Sequence, residues 1–361
     1  MIIKVENTDE FYRRIIRVLE KNGIITLPTD TIYGFAVNGT AHDAVRKLTN
    51  IKGCREKPFT LFVLKDKIEQ YAVISKRKII EYFIPGTLTI ILKKKIGVSL
   101  PGITERIGIR IPRVDFIIKL LSMYNKPLAV TSANLTGQPP LTDAFEISEK
   151  FTEIELVIDG GRLKSKASTV IDLTTTPPMI KRKGTIPILE IEKVYGRRVL
   201  LDNRLKFNLL FICSGNTCRS PMAEGIFRTL VSDEYCEVKS AGTLPMGAGP
   251  PAPFAQDVVA EYRGSIIHHR SQTITTELID WADLILVMEY KHYDVILGMS
   301  PNAVVKTFFL KEYKRRPKYN KIFDPVGMAK EYYRKTAEEM LPSLKIVAHD
   351  IKKRFSSMAE Q

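Results

Sequence analysis

Cysteine is scarce in this chain of 361 residues: there are four, Cys54, Cys213, Cys218 and Cys236. So few in so long a chain argue against a disulfide scaffold. The opening Met-Ile-Ile-Lys-Val-Glu has no long apolar stretch of the secretory kind, so a reducing, cytoplasmic setting is expected. No spacing of cysteines with the five histidines reads as a zinc site, and no metal fixed by side chains is expected. No run of ~18 apolar residues occurs, which excludes a membrane-spanning helix and leaves no membrane partner. A Gly-x4-Gly-Lys-Ser/Thr loop is missing, so a nucleotide would have to be held without that device. Internal repeats and low-complexity segments are absent as well.

What is present is an ordinary globular balance, 44% hydrophobic and 26% charged, and a net charge of +15. The charge is lopsided. Residues 1–200 carry 33 Lys and Arg against 21 Asp and Glu, a net of +12, and residues 201–361 a net of only +3. A basic first half suits a polyanion such as a nucleotide or RNA; a surface of solvated lysines would give the same count.

The length suggests two or three domains. Apolar, β-branched runs at 23–28, 61–64, 88–92 and 107–112 predict strands, with helices between them at 10–22, 41–51, 115–124 and 141–151. The prolines at 177 and 178 and the segment 181–184 read as a turn and loop. A charged stretch, Gly196 to Lys206, precedes a new apolar strand, so the boundary is placed between residues 203 and 204. Beyond it the pattern restarts as βα units: strands at 207–212, 237–240 and 284–288, a helix from 221 to about 231, and a long final helix over 331–355. This alternation predicts an α/β fold throughout, with a parallel sheet covered by helices in the second half.

The strand at 207–212 runs into Cys213-Ser-Gly-Asn-Thr-Cys-Arg219-Ser220-Pro221. Ser220 then Pro221 reads as a helix start, with Ser220 as the capping side chain. The spacing Cys-x5-Arg therefore lies on a loop between a strand and a helix N-terminus, where backbone N–H groups can converge on one tetrahedral anion. Such a loop, with Arg219, favours a thiolate nucleophile at Cys213. Arg219 presents a planar fork to phosphate oxygens. Asp324, in Phe323-Asp-Pro-Val-Gly, is the candidate proton donor to the leaving group.

These residues resemble the low-molecular-weight protein tyrosine phosphatases over about 205–355, together with Ser240-Ala-Gly-Thr243, His268-His-Arg270 and Asp283–Met288. The resemblance implies hydrolysis of a phosphoamino acid on a protein through a phosphocysteine. Cys213 would be the nucleophile, Arg219 the phosphate ligand and Asp324 the general acid; Asn216 would brace the loop, and Ser220 would hydrogen-bond the sulfur. Ser240 and His269 look like scaffold. Cys218 is a possible redox partner of Cys213, or a small buried side chain. Tyrosine-directed members carry an aromatic pair after Asp-Pro, where Val326-Gly327 stands here. Members acting on phosphoarginine carry threonine at the position of Thr217, so phosphoarginine is favoured, with phosphotyrosine second. Val326 stands where those members have phenylalanine.

In the first half, Leu27-Pro-Thr-Asp-Thr-Ile-Tyr-Gly34 is a strand end entering a polar turn. Lys52, Arg55, Arg106, Arg110, Ser132, Asn134, Thr142, Ser168 and Arg182 gather cations and hydroxyls at strand ends and loops, the composition of an anion site. Pro28–Gly34, Lys52, Ile109-Arg-Ile-Pro112 and Ser132-Ala-Asn134 are similar to the YrdC-type threonylcarbamoyl-AMP synthases over about 5–195. The resemblance implies a twisted mixed α/β domain that joins L-threonine, bicarbonate and ATP, with Mg²⁺ on the phosphates, for N6-threonylcarbamoylation of adenosine 37 in tRNA. Thr31, Arg110, Ser132 and Ser168 would hold threonine. Lys52, Arg55, Arg106, Asn134, Thr142 and Arg182 would hold ATP. Partners would be tRNA or tRNA-modification proteins. Two features depart from the family: Lys52-Gly-Cys-Arg55 has one residue more than the usual Lys-x-Arg, and Phe62 replaces a histidine. Cys54 has no motif role.

The reading is of a bifunctional enzyme. The alternative is a phosphotyrosine-specific phosphatase with an N-terminal RNA-binding module lacking synthase activity; a third reading makes the second half a phosphate sensor.

Overall fold

Thr8 sets the start of the first helix: its hydroxyl accepts from the Phe11 amide at 3.3 Å, with Asp9 and Glu10 in the first turn to suit the helix dipole. The helix stops before Asn22, which adopts a left-handed φ of 57°. The computed structural model describes residues 1–53, 58–163, 166–244, 247–313 and 320–355. Arg55, expected to hold ATP, and Cys54 lie outside the described residues.

The chain divides into two units, Met1–Ile186 with Val194–Arg197, and Pro187–Lys193 with Arg198–Gln361. The boundary read from sequence, between 203 and 204, falls inside the second unit by this division. Helix Ile188–Tyr195 (α7) lies in the joining segment.

In the first unit the strands are β1 (Ile2–Lys4), β2 (Ile25–Leu27), β3 (Gly34–Asn38), β4 (Thr60–Phe62), β5 (Ala72–Val73), β6 (Leu88–Lys94), β7 (Arg106–Arg110), β8 (Leu128–Ser132), β9 (Leu156–Asp159), β10 (Thr169–Asp172) and β11 (Met179–Arg182). The helices are α1 (Asp9–Glu20), α2 (His42–Lys52), α3 (Ile68–Tyr71), α4 (Arg77–Phe83), α5 (Asp115–Tyr124) and α6 (Ala144–Lys150). The sheet runs β1-β9-β2-β3-β8-β4-β7-β6-β10-β11, with β5 beside β6. It is mixed: β1·β9, β2·β9, β4·β7 and β6·β10 are parallel, while β2·β3, β3·β8, β4·β8, β6·β7 and β10·β11 are antiparallel.

Both faces of this sheet are buried. Ala36, Leu128, Val130, Leu156 and Ile158 pack with α1 and α5. Their alternating neighbours Phe35, Val37, Ala129 and Val157 pack with α2 and α6. Asp143 caps α6 through the Phe145 amide at 2.8 Å, which starts that helix at Ala144 rather than near Leu141. Contrary to the loop expected from the sequence, Lys181 and Arg182 belong to β11, where Ile180 pairs with Ile171. A four-residue strand with one buried side chain, just after two prolines, carries too little pattern to be recognised.

In the second unit, β12 (Leu200–Leu201) precedes β13 (Phe207–Cys213), β14 (Cys236–Gly242), β15 (Leu284–Val287) and β16 (Thr307–Phe309). The last four form a wholly parallel sheet in the order β14-β13-β15-β16. Helices α8 (Arg219–Arg228), α9 (Pro253–Glu261) and α12 (Lys330–Lys352) pack together, and Phe227 of α8 meets Phe211 of β13 edge-on with ring centroids 5.9 Å apart. Leu210, Ile212, Ile285 and Val287, which alternate with that face, pack with α10 (Thr276–Trp281) and α11 (Tyr290–Met299). Arg354, fully buried after α12, donates to Glu192 and to Asp350 (2.8 Å); Arg198 reaches the same Asp350 (2.8 Å). This network binds Pro187–Lys193 and Arg198 to the final helix within one unit. Among the described residues no helix is long and apolar enough to cross a membrane.

Candidate active sites

In the second unit β13 delivers Cys213 to the carboxyl edge of the sheet, and the chain turns at once into α8. The helix begins at Arg219, one residue before Ser220, so the expected capping role of Ser220 is corrected: the residue before the helix, Cys218, makes no side-chain cap, and the Ser220 hydroxyl turns inward instead. It lies 3.0 Å from Cys213 Sγ. The Asn216 amide also points at that sulfur, 3.3 Å away. Asn216 has a left-handed φ of 54° and is fully buried. Its side chain donates to Ser220 Oγ (2.9 Å) and Ser240 Oγ (2.8 Å) and accepts from the Gln272 amide (3.0 Å). Behind it, His269 Nε2 meets the Asn216 carbonyl at 2.9 Å, and Ser240 donates to Glu224.

The end of β14 presses on this loop. A Cβ on Gly242 would stand 2.5 Å from the Ser214 carbonyl oxygen and 3.1 Å from the Asn216 nitrogen, so only glycine fits. Ser214 is held from the other side by His292 Nε2 at 3.0 Å. His292 is fully buried, and its Nδ1 has no partner among the described residues. Burial, then the charge of Arg219, hold its pKa down at about 4.

Arg219 is almost wholly buried, with Nη1 2.8 Å from Glu289 Oε1 and Nη2 on Asp324. Burial alone would raise the Glu289 carboxyl. The hydrogen bond and charge of Arg219, with Lys291 and His292, override this and hold it at about 2. The geometry thus gathers Cys213, Asn216, Arg219, Ser220 and Asp324. Thr217 sits on the same loop with its hydroxyl 3.7 Å from Cys218 Sγ. Cys213 and Cys218 are both free; Cys218 also meets Tyr333 at 3.6 Å, and burial raises its pKa. Glu289, His292 and Glu224 were not singled out from the sequence. For Glu289 a signal existed: an acidic residue just past the end of a buried strand, at the edge where open α/β sheets gather their ligands.

In the first unit the expected residues fall into three linked groups. In one, Arg110, 6% exposed, pairs with Asp30 beside Thr31, which is fully buried with its hydroxyl 3.1 Å from Thr29. In another, Lys52 donates to Asn134 Oδ1 (2.7 Å) and to the Ser132 carbonyl (2.9 Å). The Ala133 amide donates to the Tyr33 carbonyl (2.9 Å), tying that turn to the one that carries Thr31. In the third, Arg182 donates to Ser168 Oγ (2.9 Å), and Ser168 meets Thr89 (2.9 Å). Arg182 is exposed as a residue, yet loss of water around its head group and then the charge of Arg110 lower its pKa. The Thr142 carbonyl accepts from Leu163 at 2.9 Å. Arg106 stands apart, at the other end of β7 from Arg110 (about 13 Å along a strand), and pairs with Asp172 at 2.9 Å. Among the described residues no three His, Cys, Asp or Glu side chains gather as a metal set.

Residues 17–184 match the Sua5/YciO/YrdC family model, described as telomere recombination, and residues 208–357 match the low molecular weight phosphotyrosine protein phosphatase model. The chain is 41% identical over 204 residues to a putative threonylcarbamoyl-AMP synthase of Methanocaldococcus jannaschii, covering 53% of this chain and 97% of that protein. It is 34% identical over 148 residues to the protein-arginine-phosphatase of Bacillus subtilis, covering 40% of this chain and 97% of that protein. The chain belongs to both families. Its Sua5/YrdC half is also 35% identical over 208 residues to the threonylcarbamoyl-AMP synthase of Pyrococcus abyssi, covering 54% of this chain but only 61% of that protein. The solved structure of P. abyssi Sua5 with L-threonine covers 86% of this chain and 99% of that chain at 22% identity with a TM-score of 0.53, a likeness of fold alone. A Sua5/YrdC half and a low-molecular-weight phosphatase half are thus joined in one α/β chain.

Proposed function

We propose that the first half forms L-threonylcarbamoyladenylate from L-threonine, bicarbonate and ATP for the N6-threonylcarbamoylation of adenosine 37 in tRNA, and that the second half hydrolyses phosphoarginine on proteins through a phosphocysteine. For the second half, the supporting observation is the convergence of Ser220 and the Asn216 amide on Cys213 Sγ, beside a buried Arg219 that reaches Asp324. The thiolate attacks phosphorus while the bond to the leaving nitrogen breaks. Arg219 follows the equatorial oxygens, and Asp324 gives its proton to the leaving group. Water, activated by the same carboxylate, then cleaves the S–P bond. Thr217 on the loop and the absence of an aromatic pair at Val326-Gly327 support phosphoarginine over phosphotyrosine.

For the first half, the support is a set of cations and hydroxyls, with Asp30 between Arg110 and the Thr31 turn and Asp172 on Arg106. Thr31, Arg110, Ser132 and Ser168 hold threonine; Lys52, Arg55, Arg106, Asn134, Thr142 and Arg182 hold ATP. The threonine amine and bicarbonate condense with loss of water to a carbamate, whose oxygen displaces pyrophosphate from the α-phosphorus. No side chain need become covalently attached, since alignment and charge neutralisation suffice. Among the described residues no carboxylate cluster gathers to hold a metal, so Mg²⁺ would be carried by the ATP phosphates and would supply charge neutralisation there.

Two assays test these assignments. Pyrophosphate release should require threonine and bicarbonate together; release without either would leave a nucleotide- or RNA-binding module. Phosphoarginine should turn over faster than phosphotyrosine at equal concentration, and the reverse order would make the second half a tyrosine phosphatase.

A further inference from the structure

We propose that Asp30 is a positioning residue of the first unit's site, a latch that holds the Thr31 turn against the end of β7 and aims Arg110 at a substrate carboxylate; this rests on the threonine reading above. Both oxygens of Asp30 are used. Oδ1 accepts from Arg110 Nη2, and Oδ2 accepts from the Arg113 backbone N–H at 2.9 Å. The turn that carries Asp30 is itself fixed, because the Thr29 hydroxyl accepts from the Thr31 and Ile32 amides (3.1 and 3.2 Å). One short carboxylate therefore joins a rigid turn to a strand end, and each side supplies an expected threonine ligand.

The charge balance points the same way. Arg110 is buried, and its Nε has no partner among the described residues. Arg182 is close enough for Arg110 to lower its pKa. Arg110 thus has one carboxylate partner, Asp30, and a second guanidinium nearby, and its Nε–H remains for a second anion. If Asp30 became neutral, Arg110 would sit in a dry place beside a like charge, and turning toward water would be its easiest relief. Orientation for the incoming carboxylate would be lost. The hydrogen bonds that hold Lys52 to Asn134 and to the Ser132 carbonyl do not run through Asp30, so nucleotide binding depends on it less than threonine binding does.

The test is calorimetric titration of the full chain with L-threonine and, separately, with ATP. D30N should bind threonine about tenfold more weakly, the scale of one charge-assisted pair, with ATP affinity changed much less. D30E, which keeps the charge, should restore threonine affinity to within about threefold. Unaltered threonine binding in D30N would overturn the latch, and so would equal weakening of threonine and ATP, the mark of a merely structural role. If D30N does not fold, D30E carries the test: near-normal threonine affinity supports the latch and lost affinity overturns it. A parent chain that binds no threonine at all would instead refute the substrate reading, and the latch with it.

Discussion

Arg219 Nη1 lies 2.8 Å from Glu289 Oε1 while Nη2 rests on Asp324, so one guanidinium joins the acid loop to the end of β15. Glu289 anchors the arginine, and Asp324 occupies the edge that an arriving phosphate would take. On the proposed mechanism, binding of phosphate would free Asp324 to face the leaving group. Asp324→Asn should slow turnover of a phosphotyrosine peptide by about 10²- to 10⁴-fold, and of p-nitrophenyl phosphate much less, because only the poorer leaving group needs the proton. Steady-state kinetics on both substrates checks this.

Glu289 gives the phosphatase half a defined acid sensitivity. Its folded pKa of about 2 lies below the ordinary 4.5, so the stability it contributes is fully present above about 4.5 and is lost as pH falls through 2. Glu289→Gln should be less stable at neutral pH, and the gap should narrow in acid. The chain's single tryptophan, Trp281, lies in the second unit, so its fluorescence during urea unfolding reports on that half.

His292 acts in a higher window. The unfolded chain takes up a proton near 6.5, while the folded protein resists protonation until about 4. More protons are bound by the unfolded state in between, so stability should fall as pH drops from 6.5 to 4. His292→Asn should flatten that slope in the same fluorescence experiment.

Much of the second site was legible. A strand, a Cys-x5-Arg loop and a helix are local features, and their order in sequence is their order in space. What the sequence did not give is what the side chains do at that junction. Ser220 has the residue type of a helix cap, yet its hydroxyl serves Cys213, because the helix starts one residue earlier. Glu289 and His292 come from α11 and the residue before it, some seventy positions away, and only the parallel pairing of β13 with β15 brings them to Arg219 and Ser214. In the first half, β3, β8, β9 and β10 went unread, since a sheet buried on both faces shows no alternation. Asp30 lies inside the Pro28–Gly34 turn but carries no signal in the sequence, because a carboxylate among expected anion ligands has meaning only with Arg110 beside it.

Close approach at Gly242 makes a sharp prediction. Gly242→Ala would drive a methyl group into the Ser214 carbonyl, 2.5 Å away, and displace the loop around Cys213. Phosphatase turnover should fall at least about tenfold with threonine-dependent pyrophosphate release untouched. Assays of both activities on one preparation check this.

The joining segment belongs to the stability of the phosphatase unit. Arg354 is fully buried and donates to Glu192 and Asp350. Arg354→Met would leave Glu192 without its cation and Asp350 with Arg198 alone, and should cost about 3 kcal/mol, read from Trp281 during urea unfolding.

The most direct test of the phosphatase proposal is rapid acid quench of the full chain with a phosphoarginine peptide, followed by mass spectrometry of the peptide that contains Cys213. The account predicts a transient phosphate adduct on Cys213, absent in Cys213→Ser together with all turnover. Turnover that persists in Cys213→Ser, or an adduct on any other residue, would contradict it.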